Sequence, residues 1–340
     1  MHTRRETESA AIMKMKKVDA LDFELSAVGF GCWAAGGSIV WNDADDDSTI
    51  RAIQRAVDLG INFFDVAPVY GFGHAERMLG RALGSRRQQV IIASKCGLRW
   101  DDTHTIVNNL RPESIMQEID DSLRRLQTDY IDIYQMHWPD PATPIAESMQ
   151  VLVQLQAAGK IRHIGVSNFS RALTDEARAY GAIVSHQGLY NLLEHNPTQY
   201  HSIPLPYRTK DEILPYCLEH GMAFFPYSPL FQGLLTNEFK AKNQFDSQDV
   251  RSANPKLNGD LFELYYRIRA ELLAFADQIG TPLAQVAINW LVDQPAVTSV
   301  ICGAQTVAQV EENVGSASWT LTPEMRAEIE RILQPVRHLL

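Results

Sequence analysis

The sequence predicts a closed (β/α)8 TIM barrel, one α/β domain with an N-terminal β lead and extra C-terminal helices. Three observations carry that prediction. Short apolar runs alternate with amphipathic helical stretches along nearly the whole chain, giving eight strands separated by helices. The 340 residues suit one large domain, and no linker, composition shift or low-complexity tract divides them. Ionisable residues fall where several apolar runs meet loops, as at the C-terminal face of a parallel barrel. A doubly wound sheet would also alternate, but eight units with polar residues spread over many strand ends favour closure.

In chain order, residues 1–16 read as a flexible extension, with charges on both sides of a very short apolar stretch, and the domain occupies 17–340. A β-prone lead at 21–25 precedes the first strand, 28–33 (VGFGCW). Helix 47–59 starts at Asp/Ser and stops at Gly60. Strand 63–66, helix 74–83, strand 90–95 and helix 112–126 follow, the last with Pro112 in its first turn and Glu113 near the positive end of the dipole. Strand 131–137, helix 144–158, strand 163–167 and helix 170–180 continue the alternation, then strand 184–188, helix 210–220 and strand 222–227. The segment 196–209, with its prolines and two tyrosines, reads as an inserted excursion. Residues 228–259 show no period, and loops this long in compact domains are functional or disordered. Helices 261–278 and 283–294, strand 299–304 and helices 307–314 and 323–333 end the chain.

Composition narrows the function. A net charge of −10 with no basic run argues against nucleic acid and anionic membrane surfaces. No apolar run of ~18 residues is present, so no membrane span is expected. The four cysteines, Cys32, Cys96, Cys217 and Cys302, form no CxxC pair and no export signal precedes them; reduced thiols in the cytoplasm are expected.

The candidate chemistry centres on residues 61–71, INFFDVAPVYG, where a strand runs into Asp65 and its loop carries Tyr70. Two later strands end in Lys95 and His137. Taken singly, each has a structural reading: a turn cap, a surface phenol, a solvated lysine, a core histidine. Jointly they meet the demand of carbonyl reduction by hydride transfer, which leaves an alkoxide needing a proton. A phenol is a poor acid at neutral pH unless a neighbouring Lys⁺ stabilises its phenolate, and a carboxylate holds that lysine charged. Tyr70 is then the acid, Lys95 its tuner, Asp65 the holder of Lys95, and His137 the orienting donor.

Other residues suit a nicotinamide. Ser167, Asn168 and Gln187 at the fifth and sixth strand ends could grip a carboxamide, and Tyr227 offers a ring face. The loop SPLFQGLL could pass over a pyrophosphate, and Gly303 lies beside a helix N-terminus. No Rossmann GxGxxG sits at a strand–helix turn, no Walker A is present, and His104, His137, His163, His186 and His195 form no metal set, so no metal is expected.

FFDVAPVYG, IIASK, the strand ending in His137–Trp138, IRHIGVSNF, QGLYNLL, YSPLFQGLL and GAQTVAQVEEN occur in order. On these blocks the chain from about residue 17 to 333 resembles the aldo-keto reductase superfamily, in its bacterial branch near the potassium-channel β-subunit-like reductases. The resemblance implies NADPH bound extended at the C-terminal face and hydride transfer to aldehydes and ketones. It implies cofactor contacts from Cys32, Trp33, Asp65, His137, Ser167, Asn168 and Gln187. Further contacts are implied from Tyr227, Ser228, Pro229, Leu230, Phe231 and Gln232, and from Gly303, Gln305, Gln309, Glu312 and Asn313. Trp33, Tyr70, His137 and Trp138 would line the substrate pocket, with loop residues of 196–209.

Two positions depart from the family pattern. Glu238 and Gln305 stand where relatives tend to place cations near a 2′-phosphate. NADP(H) is the favoured cofactor and NAD(H) the alternative, with a narrowed preference unless Lys240, Lys242 or Arg251 compensates. The expected partner is a small carbonyl or alcohol substrate. The rival reading is a cofactor-binding regulatory or channel-associated subunit with little turnover; a degraded tetrad would favour it, and all four members are present.

Overall fold

The computed structural model describes residues 13–39, 45–239, 245, 250–258 and 261–340. Eight parallel strands form one sheet in chain order: β1 (Val28–Gly31), β2 (Phe63–Asp65), β3 (Ile91–Cys96), β4 (Ile131–Met136), β5 (Ile161–Ser167), β6 (Ile183–Leu189), β7 (Ala223–Tyr227) and β8 (Val300–Gly303). β8 pairs with β1, Gly303 opposite Gly31. The ring closes between β7 and the approach to β8. There Phe224 bridges Val297, and Thr298 N–H donates to the Phe224 carbonyl at 2.9 Å.

Ten α-helices of six residues or more accompany the strands among the described residues: α1 (Asp46–Asp58), α2 (His74–Leu83), α3 (Pro112–Leu126), α4 (Ile145–Ala157), α5 (Arg171–Arg178), α6 (Leu214–Glu219), α7 (Phe262–Gln278), α8 (Leu283–Val292), α9 (Val307–Gly315) and α10 (Pro323–Leu333). Each follows from its sequence: Asp45, Ser170 and Thr322 side chains cap α1, α5 and α10, and Thr306 with Gln309 makes a capping box on α9. The expected helix 210–220 opens instead as a wide π turn, Thr209–Ile213. Pro215 has no N–H to give, and Thr209 Oγ1 is drawn to the Leu189 carbonyl at 2.8 Å.

Alternation along the strands fills the barrel from the bottom. Phe63, Ala93, Ile133, Ala223, Phe225 and Ile301 point inward, and Leu21 and Leu25 of the lead close the floor beneath them. That lead is half of a hairpin, Met15–Lys16 paired antiparallel with Leu25–Ser26. Residues 1–12 of the expected extension lie outside the described residues. Met15 and Lys16, assigned to it from sequence, belong to the folded body. Lys16 Nζ donates to the Val292 and Val297 carbonyls at 2.5 and 2.6 Å, a tertiary anchor that local charge pattern does not reveal. Two further hairpins, Leu98–Trp100 with Ile106–Asn108 and Gln199–Tyr200 with Ile203–Pro204, are too short to carry a period and escape sequence detection. No helix among the described residues is long and apolar enough to cross a membrane. The four cysteines are buried and free.

Candidate active site

The alternation that fills the floor also selects what reaches the mouth. Two positions beyond Phe63 comes Asp65, beyond Ala93 comes Lys95, and beyond Ile133 come Gln135 and then His137. Ser185 leads to Gln187, and Phe225 to Tyr227. On β1 the inward positions are Gly29 and Gly31, which leave that wall without side chains.

Lys95 is fully buried. Its Nζ donates to both Asp65 oxygens at 2.8 Å, to the Val66 carbonyl at 3.1 Å and to the Tyr70 hydroxyl at 3.2 Å. Burial pushes the Lys95 ammonium below its ordinary pKa; the Asp65 charge and hydrogen bonds oppose the shift. Asp65 Oδ1 also accepts from Gln187 Nε2 at 2.8 Å, so Gln187 turns into the barrel.

Tyr70 is half-buried, and its loop is set by a glycine contact. Gly71 has φ +58°, and a Cβ there would stand 2.0 Å from the Gly36 carbonyl oxygen. The Tyr70 hydroxyl lies well above the ordinary tyrosine pKa, first through burial and then through the Asp65 charge. The sequence expectation that Lys95 lowers this pKa is therefore corrected for the resting site: desolvation outweighs the ammonium. Because Tyr70 accepts from Lys95, its own proton is free to be donated.

His137 lies well below the ordinary histidine pKa through burial and the Lys95 charge, so the imidazole is neutral. Its ring meets the Tyr70 ring edge-on at 5.9 Å. Its backbone N–H is fixed on the Cys96 carbonyl at 3.0 Å, and its backbone carbonyl accepts from Asn168 Nδ2 at 3.2 Å. Trp138 beside it is half-buried, as is Trp33 in the turn after β1, whereas Cys32 is buried.

Across the mouth, Asn168 holds a left-handed φ of +61°. Its Oδ1 accepts from the Tyr207 and Tyr227 hydroxyls at 3.0 and 2.9 Å, and its Nδ2 donates to Ser167 Oγ at 3.1 Å. Ser228, Phe231 and Gln232 are left-handed too, so the turn through Pro229 and Leu230 is tightly wound, with Phe231 buried in the core. Gln232 bonds His201 at 2.5 Å and Asn254 at 2.8 Å.

At the β8 end, Gly303 is exposed and its carbonyl accepts from Asn313 Nδ2 at 3.3 Å. Gln305 Nε2 donates to the Ala34 carbonyl at 3.4 Å, while its N–H donates to Gln309 Oε1 at 2.7 Å. That oxygen of Gln309 is thus engaged in capping α9. Glu312 is half-buried, and its carboxyl is raised first by burial and then by the Glu238 charge. Arg251 stacks over Phe245 at 4.5 Å; Lys240 and Lys242 lie outside the described residues.

The structure brings Asp65, Tyr70, Lys95 and His137 into one cluster and gathers Ser167, Asn168, Gln187 and Tyr227 around its rim. It adds residues that sequence reasoning did not single out. Tyr200, His201 and Tyr207 come from the 196–209 insertion, whose tyrosines were the available signal. Phe72 stacks on His104 at 4.1 Å beside the 98–108 hairpin, for which sequence offers no signal.

A parallel barrel with an ionisable cluster at the C-terminal ends of its strands is the class of the barrel enzymes. The model of the Aldo/keto reductase family matches residues 27–334, and the chain belongs to that family. It is 35% identical to aldo-keto reductase YhdN of Bacillus subtilis over 95% of this chain and 94% of that one. It is 34% identical to the NADH-specific methylglyoxal reductase of Escherichia coli, covering 94% of this chain and 100% of that one. Among solved structures, the glycerol dehydrogenase AKR11B4 from Gluconobacter oxydans superposes with a TM-score of 0.83 at 37% identity, covering 94% and 95% of the two chains.

Proposed function

We propose that this chain reduces small, oxygenated aldehydes or ketones, or oxidises the matching alcohols or sugars, by nicotinamide-dependent hydride transfer with Tyr70 as general acid and base. The observation that carries the reading is the chain Asp65–Lys95–Tyr70, in which a buried ammonium donates to a neutral phenol and leaves the phenol's own proton free. The names of two relatives, a methylglyoxal reductase and a glycerol dehydrogenase, support a small oxygenated substrate.

The residues present fit a nicotinamide dinucleotide. Gly31 and Gly303 leave a side-chain-free floor at the β1–β8 seam, and Ser167, Asn168 and Gln187 offer amide and hydroxyl partners. Tyr227 supplies a ring whose hydroxyl is already tied to Asn168. The left-handed turn through Ser228 and Gln232, together with Gln305 and Asn313, lines the remaining course. The cofactor, when bound, supplies or takes the hydride at the substrate carbon.

The chain's own groups do the rest. His137, neutral, points a substrate oxygen at Tyr70. Tyr70 gives its proton to that oxygen, and Lys95 at 3.2 Å answers the developing phenolate. At an effective dielectric of about 20, unit charges at that separation interact by about 5 kcal/mol. Lys95 therefore acts mainly on the charge that appears during transfer. Asp65 keeps the ammonium in place. In reverse the phenolate is the base, so oxidation gains with rising pH while reduction holds through neutral pH.

NADP(H) is the family expectation, but acidic Glu238 and Glu312 and uncharged Gln305 disfavour a 2′-phosphate, and one relative is NADH-specific. We therefore read the preference as narrow. Steady-state turnover of an aldehyde and ketone panel with NADPH and NADH tests the whole reading; no turnover with either sinks it. The regulatory-subunit reading is not favoured, because all four residues of the cluster are present and hydrogen-bonded or stacked together.

A further inference from the structure

Tyr70 and Lys95 meet at 3.2 Å, yet one comes from a loop and the other from a strand. A second set of contacts, on the outer side of β3, joins the two. Alternation turns Lys95 into the barrel and Ser94 outward to α2. There Ser94 Oγ donates to Glu76 Oε1 at 2.9 Å, and Arg125 Nε of α3 donates to Glu76 Oε2 at 2.6 Å. Ser94 and Glu76 are fully buried, and the Arg125 side chain is largely so.

Glu76 stands in the first turn of α2, and that turn holds the Tyr70 loop. The Ala75 N–H donates to the Tyr70 carbonyl at 3.2 Å, and the Gly73 N–H to the Pro68 carbonyl at 2.6 Å. Arg125 lies across Gly73, where φ is +86° and a Cβ would stand 2.7 Å from Arg125 Cδ. The contacts close a ring. It runs from the Tyr70 backbone to Ala75, from Glu76 to Ser94, and from Lys95 back to the Tyr70 hydroxyl. A buried ion pair contributes little net stability beside an apolar filling of the same space. What it supplies here is direction, because a carboxylate with both oxygens engaged keeps one orientation.

Building on the reading of Tyr70 as the acid, we propose that Glu76, held by Arg125, is a positioning residue for it. Through Ser94, Glu76 sets the distance between the Tyr70 hydroxyl and the Lys95 ammonium. The contact of Gly71 with Gly36 holds the loop on one side, and Glu76 holds it on the other. Without the tie, α2 and the loop drift from β3, and the ammonium answers the phenolate from further away.

Ser94→Ala cuts the ring at its smallest side chain and leaves the Glu76–Arg125 pair intact. The ionisable groups that act on Tyr70, namely Asp65, Lys95, His137, Cys32 and Tyr200, are all kept. A drift of about half an ångström should slow a single turnover of aldehyde reduction by about ten-fold. The same drift should raise the alkaline limb of alcohol oxidation by about half a pH unit. Ser94→Thr keeps the hydroxyl and should restore most of the rate and return the limb. The nicotinamide Kd from protein fluorescence should not move in either variant. If Ser94→Ala does not fold, Glu76→Asp, which keeps the charge but withdraws the carboxylate by one methylene, carries the same test. An unchanged rate and limb in the folded variant overturn the proposal, as does a loss matched by a raised nicotinamide Kd. Full activity in Tyr70→Phe would instead defeat the reading of Tyr70 as the acid, and the proposal with it. A loss in Tyr70→Phe with none in Ser94→Ala rejects the tie alone.

Discussion

Around the arc from β2 to β4, functional groups leave the ends of strands paired on both sides. Asp65 and Lys95 are buried, and the backbone of His137 is pinned by Cys96 and Asn168. Around the arc from β6 to β8, groups leave turns. Ser228, Phe231, Gln232, His201 and Ser202 are all left-handed without being glycine, and side-chain bonds such as Gln232–His201 hold them. The difference matches two tasks. Proton transfer needs donor and acceptor held to a few tenths of an ångström; Asp65 and Lys95, on doubly paired strand ends, hold the loop residue Tyr70 through the Lys95 bond at 3.2 Å. A ligand that comes and goes needs a wall that can re-form, and turns held by a few polar contacts can open locally.

The largest test of this contrast is Tyr70→Phe. It deletes one proton from the rigid arc and leaves the rim intact. kcat/KM for carbonyl reduction should fall by about 10²–10⁴-fold with cofactor affinity unchanged. Retention of a tenth of the activity would mean that the chemistry does not run through the strand-end cluster.

The rigidity of that arc can itself be titrated. Glu118 on α3 is buried, accepts from the Gly97 N–H at 3.1 and 3.2 Å and from Ser114 Oγ at 3.1 Å, and so ties down the end of β3 two residues past Lys95. Burial raises its carboxyl to about 7. Its folded pKa exceeds its unfolded one, so the folded state holds the proton more tightly. The stabilisation is full below the unfolded carboxylate range near 4.5 and is lost as pH rises through about 7. Across that window about 3 kcal/mol of stability should disappear in wild type. Glu118→Gln should flatten that part of the profile. Melting curves at pH 5 and pH 8 decide it, and a wild-type Tm that does not fall between them removes Glu118 from the account.

The smallest effect belongs to the rim. Gln305→Arg adds a cation at the β8 end and should shift the NADPH-to-NADH ratio of kcat/KM by about ten-fold towards NADPH. A wild-type preference for NADPH of a thousand-fold, or an unmoved ratio in the variant, would show that this corner reads the ribose by other residues.

Much of this was legible in the chain. The period of two that runs Phe63 to Asp65 and Ala93 to Lys95 places an apolar floor and a polar mouth without any tertiary information, and eight such runs with helices between them specify the barrel. The ordered motifs were enough to place the chain in its family. Tertiary structure decided what depends on distance and burial. The sign of the Tyr70 shift is set by how much water the fold removes, and the sequence alone had suggested the reverse. Gln187 turns to Asp65, and Gln309 caps a helix, because partners far away in sequence come within 3 Å of one and a helix start claims the other. Tyr200 meets Tyr227 through a hairpin with two-residue strands, too short for any periodic signal. Strand pattern is local and therefore written in the sequence; desolvation and long-range hydrogen bonding exist only once the chain has closed on itself.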